Sequence, residues 1–144
     1  MAKLTQRLTD ASRSGVYRAA GVAEIEDAVH ATRIDVARID LTGAADAAAL
    51  FERIARALAF PDWFGANWDA LEDCLCDLSW RPGEGHVLLF TGHENLPLDE
   101  LGQLYDVLRA CASDWARRQR PFFAVFASVA RELALPELFR PSAS

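Results

Sequence analysis

Two short runs in this chain, residues 86–90 and 121–127, are apolar at nearly every position, and each follows an amphipathic helical pattern. Uninterrupted apolar runs of strand length suit strands covered on both faces, and the helices between them supply the cover. A third strand, residues 34–41, alternates but slips midway: Ile34, Val36 and Arg38 fall on one side, Asp35, Ala37, Ile39 and Leu41 on the other. A bulge, or burial on both faces, accounts for the slip. Residues 15–20 form a further short strand.

The helical patterns cover residues 24–32 (Ile25, Ala28 and Val29 on one face), 44–59 (Leu50, Ile54 and Leu58, with Phe51 and Ala55) and 98–118 (Leu101, Leu104, Tyr105, Leu108, Cys111 and Trp115). A fourth begins at the capping residue Asn67 and runs to about Leu78. The order β-α-β-α-α-β-α-β predicts an α/β fold, a small, mainly parallel sheet of three to four strands packed with helices. Residues 1–33 read as an N-terminal extension that adds a strand and a helix, its first 14 residues being a frayed polar tail. Residues 34–127 form the main domain. Residues 128–144 are a C-terminal tail with one helical turn before Pro136.

The chain has 144 residues, enough for one domain with a real core, and is 51% hydrophobic and 25% charged. A net charge of −6 argues against a nucleic-acid binder, which needs a basic face. It fits plain solubility or a basic partner. No apolar run approaches the length of a membrane span, and the first ten residues lack an apolar signal core, so a cytoplasmic location is expected. Cys74, Cys76 and Cys111 have no framework spacing, which suits a reducing compartment. Cys74 and Cys76 diverge on their helix and do not easily bridge each other. His30, His86 and His93 show no ligand spacing with them, so neither metal nor cofactor is expected.

Residues 60–80 carry the chemistry. They hold Asp62, Asp69, Glu72, Asp73 and Asp77 and no Lys or Arg. On the helix after Asn67, Trp68, Leu71, Leu75 and Leu78 face the core, while Asp69, Asp73 and Asp77 repeat every four residues on the other side. Stacked like charges cost a helix a few tenths of a kcal/mol per pair. The helix dipole favours Asp69 in the first turn and opposes Asp77 near the end. Such a face is either simply solvated or held ready for a cationic partner. Of Trp63 and Phe64, one packs under the helix and the other is free to be an exposed anchor.

The run Phe60-Pro61-Asp62-Trp63-Phe64-Gly65-Ala66-Asn67-Trp68-Asp69-Ala70-Leu71-Glu72-Asp73-Cys74-Leu75 resembles the signature of the barstar family, small intracellular inhibitors of secreted microbial ribonucleases. The likeness covers about residues 34–127. It implies that the loop and acidic helix plug a ribonuclease active site. On that resemblance Trp63 packs on the nuclease, Asn67 and Asp69 make polar contacts, and Asp73 sits where an RNA phosphate would bind. Counting back from the last strand gives Asp114 as a further contact. Glu72 stands where the best-known member carries an aromatic contact, and Cys76 replaces a small polar residue. Both fall within the expected binding surface with Asp77. The partner implied is a basic extracellular-type ribonuclease or another basic toxin, bound one-to-one by a monomer, with no direct contact to nucleic acid or membrane.

A barstar-like module for a different, non-ribonuclease basic protein shares all these motif residues. An enzyme is not expected. Asp69 and Asp73 lie on one helix face, with no supporting His, metal set or phosphate loop. Cys74 reads as core, His86 opens a buried strand without an identifiable partner, and His93 falls in a polar loop.

Overall fold

The computed structural model describes residues 2–127 and 135–139. The elements in chain order are α1 (Ala2–Leu8), a 3-10 turn (Ala11–Arg13), β1 (Gly15–Ala19), α2 (Ala23–Val29), β2 (Ile34–Asp40), α3 (Ala47–Leu58), α4 (Trp68–Asp77), β3 (Gly85–Thr91), a second 3-10 turn (His93–Asn95), α5 (Leu98–Arg117) and β4 (Phe122–Ala127). The four strands form one sheet in the order β1-β4-β3-β2, and every pairing is parallel. The α/β architecture and the four-strand sheet agree with the sequence expectation.

Side chains alternate across the two central strands, and both sets are buried. Leu88 and Phe90 of β3, with Phe122, Ala124 and Phe126 of β4, join a core built with α3, α4 and α5. Val87, Leu89, Phe123 and Val125 join a second core with Leu4 and Leu8 of α1 and Ile25, Ala28 and Val29 of α2. The sheet therefore lies between two helical layers, as all-parallel sheets require. Phe90, Phe122, Phe123 and Phe126 are fully buried, each contributing about 2 kcal/mol of transfer free energy.

The slip in β2 has a plain cause. Its register against β3 runs without interruption from Ile34↔Gly85 to Asp40↔Thr91, so there is no bulge. Ala37, Ile39 and Leu41 face the larger core, while Ile34 and Val36 pack against the smaller one. Arg38 continues the second row outward and pairs with Glu26 of α2 at 2.5 Å.

Residues 1–14 are not a frayed tail over their described part. α1 buries Leu4 and Leu8, one helical turn apart, and Thr5 donates its hydroxyl to Ala28 O at 2.7 Å. Two apolar residues among polar ones carry little periodic signal. It is the open face of β3 and β4 that gives them a place to bury. β1 pairs with β4 from Gly15↔Phe123 to Ala19↔Ala127, so the N-terminal residues complete the sheet. Residues 136–138 run along the outer edge of β1: Arg18 N donates to Pro136 O and Leu138 N to Arg18 O, both at 2.9 Å. Leu138 fills the smaller core. The helical turn expected just before Pro136 lies outside the described residues.

Candidate partner-binding site

α3 starts at Asp46, whose carboxylate accepts from Ala49 N at 2.8 Å. It ends at Ala59 in the left-handed region (φ 52°), with Phe60 N closing back on Ala55 O at 2.9 Å. Pro61 then prevents continuation. Phe64 N returns to Pro61 O at 3.0 Å, and Ala66 is again left-handed (φ 51°). Asn67 opens α4 by accepting from Ala70 N at 2.8 Å. The loop is thus turned by backbone geometry at both ends.

Aromatic packing sets its tip. Phe64 meets Phe60 edge-on at 4.9 Å and Phe51 at 6.3 Å; Phe51 also meets Trp68 at 4.9 Å, and Phe60 meets Trp80 at 5.8 Å. Trp80 donates its indole N–H to Leu58 O at 2.9 Å. With Phe64 committed inward, Trp63 is left 62% exposed. Packing resolves which of the two aromatics is free, a choice the sequence left open.

α4 buries Leu71, Cys74 and Leu75 completely and exposes Asp69, Glu72, Asp73 and Asp77. Its last turn is satisfied from α5 and the residue that caps it. Trp115 donates its indole N–H to Leu75 O at 2.9 Å, and Arg118 donates to Cys76 O at 2.6 Å. Leu78, left-handed at φ 48°, returns its N–H to Cys74 O at 3.0 Å. Arg118 also stacks over the Trp115 ring at 4.0 Å and pairs with Asp114 at 2.8 Å; Arg117 pairs with Asp114 at 3.0 Å. A cation at a helix C-terminus is favourable. It also answers much of the charge on Asp114, so the uncompensated acidic residues of α4 are Asp69, Glu72, Asp73 and Asp77.

Cys76 behaves differently from the other expected contacts. It is partly buried and turned to α5, its Sγ 2.8 Å from Cys111 Sγ. The Cys111 thiol lies within 3.6 Å of Glu72 O. Cys74 sits in the core as expected, burial pushing its thiol pKa up with help from Asp73 and Asp77.

Two histidines depart from the sequence reading. His86 has a partner, Asp35, at 3.1 Å, and meets the Trp115 ring at 5.0 Å. Arg81 grips the same carboxylate through two nitrogens, at 2.6 and 3.1 Å. Burial alone would raise the Asp35 carboxyl, but hydrogen bonds from His86 and Arg81 outweigh it and hold the pKa below the usual carboxylate value. His93 is not in an open polar loop. It is buried edge-on against Phe126 at 5.3 Å, and burial lowers its pKa. Neither partnership was visible locally, because Asp35 and Phe126 are distant in sequence.

A cavity of about 720 Å³ between α2, the start of β2 and residues 82–84 is lined by none of the acidic α4 residues. Among the described residues, no group of three or more His, Cys, Asp or Glu is arranged to hold a metal ion. No helix of the described residues is long and apolar enough to cross a membrane. Residues 34–127 match the protein-family model described as Barstar (barnase inhibitor). No curated protein matches the chain.

Proposed function

The chain belongs to the barstar family, and on that premise we propose that it is a protein inhibitor which blocks the active site of a basic microbial ribonuclease through α4 and the preceding loop. The observation that carries the proposal is the exposed set Asp69, Glu72, Asp73 and Asp77 beside the exposed Trp63, on a segment without a Lys or Arg. The apolar side of α4 is spent on the core, so its outer face is available only to solvent or a partner. A nuclease cleft built from Arg and Lys to hold phosphate offers donors that a carboxylate satisfies equally well. Asp73, midway along the helix, takes the phosphate position. Asp69 and the Asn67 end of the helix bind beside it, and Trp63 packs on the rim. The shared negative field speeds encounter with a cationic cleft. The inhibitor acts without catalysing a reaction, as a cytoplasmic monomer in a one-to-one complex.

A second reading rests on Asp114. The family contact carried to this position is already paired with Arg117 and Arg118, and Glu72 adds a carboxylate where the best-known family member carries an aromatic contact. Both shift the surface toward a differently shaped basic partner, such as a non-ribonuclease toxin. The deciding experiment is inhibition of a panel of small basic microbial ribonucleases, with Asp73→Ala alongside. Stoichiometric inhibition lost in the variant supports the first reading. Inhibition of none of them overturns it in favour of the second.

A further inference from the structure

Cys76 and Cys111 come from α4 and α5, 35 residues apart, and their sulfurs stand 2.8 Å from each other as free thiols. That is inside ordinary sulfur contact distance and a short step from a bond. We propose that these two residues are a redox site, oxidised by hydrogen peroxide to a disulfide that ties the acidic helix to α5.

The roles of the two sulfurs follow from their surroundings. Cys76 is partly exposed, whereas Cys111 is fully buried. The hydrogen bond between the two sulfurs lowers the Cys76 pKa, with the Arg118 charge assisting and burial, Asp114 and Glu72 opposing. The same hydrogen bond and burial push the Cys111 thiol up, so it keeps its proton. Cys76 is therefore the attacking thiolate and Cys111 the resolving thiol.

The Cys76 thiolate attacks one peroxide oxygen, the O–O bond breaks, and the departing hydroxide takes up the proton that Cys76 gave to solvent, leaving water and a Cys76 sulfenic acid. Cys111 sulfur then attacks Cys76 sulfur. The S–O bond breaks, and the leaving hydroxide takes the Cys111 proton as a second water. In sum, two thiols lose two electrons and two protons, and one peroxide becomes two waters.

Because the sulfurs already touch, the bridge forms without displacing α4, and it closes the chain around β3. Oxidation should then leave the fold intact and raise its thermal midpoint by about 5 °C or more. The test is peroxide treatment of the reduced protein, followed by thiol counting, fragmentation between Cys74 and Cys76, and a melting curve. The expected result is a monomer with one free thiol, Cys74, a Cys76–Cys111 bond, a raised midpoint, and three thiols again after dithiothreitol. In Cys111→Ala, Cys76 should instead proceed to the sulfinic acid. Three thiols remaining, a bond through Cys74, a linked dimer or a lowered midpoint would each overturn the proposal. No nuclease enters the measurement, so its outcome is independent of the inhibitor reading.

Discussion

Asp35 and Asp73 are the same residue type put to opposite uses. Asp35 has a side chain only 10% exposed and is held by Arg81 and His86 from three directions of hydrogen bonding. Asp73 is exposed on α4, with carboxylates four residues to either side and no cation within its segment. The fold answers the first charge internally and leaves the second unanswered. A charge compensated inside contributes to stability. A charge left open costs a little stability and gives the surface an affinity for cations.

The largest test of this contrast is Asp73→Ala. On the proposed function, binding to the cognate nuclease should weaken by about 4 kcal/mol, roughly a thousandfold in Kd, because the partner's phosphate-holding cations would be left buried and unpaired. The urea midpoint should stay within about 0.5 kcal/mol of the parent. Asp35→Ala should do the reverse: about 3 kcal/mol of stability lost, as expected for a broken buried ion pair, with affinity unchanged in the folded fraction.

The pH dependence carries the same distinction. The folded Asp35 carboxyl binds its proton less tightly than the unfolded one, so its stabilisation is complete above about pH 4, the unfolded value. It is lost as pH falls through the lower folded value. Urea titrations across that acidic window should show a decline that Asp35→Asn flattens. A decline of equal steepness in the variant would refute the assignment.

Smaller effects sharpen the picture. Trp63→Ala should cost about 2 kcal/mol of binding, since the side chain stands clear of the Phe60–Phe64–Trp80 packing. Its stability should be nearly unchanged, as seen by calorimetry. Asp77→Lys removes a negative charge from the end of α4 and from repulsion with Asp73. It should raise the urea midpoint by about 0.5 kcal/mol while reducing affinity modestly.

How much of this was legible in the chain follows the range of the interactions. The acidic stripe on α4, the Asn67 cap, the buried strands and the barstar signature are local patterns of two-, three- and four-residue period. What local pattern does not reveal is adjacency across the fold. Arg81 and His86 reach Asp35 over 46 and 51 residues, Cys76 reaches Cys111 over 35, and Arg118 reaches the end of α4 over 42. The same reason hid α1, whose two leucines become a helix face only once β3 and β4 offer an apolar surface. The choice between Trp63 and Phe64 was likewise decided by rings from other elements.

The pairing of β1 with β4 bears on the order in which the molecule can be made. The amide of Phe122 donates to the Ser14 hydroxyl across 108 residues, and the strand that β1 pairs with is β4. A chain emerging from the ribosome exposes residues 15–19 long before residues 122–127. Until the intervening chain has been made, β1 lacks its β4 partner. Closing so long a loop is slow, so the β1–β4 edge should form later than the β2–β3 pair.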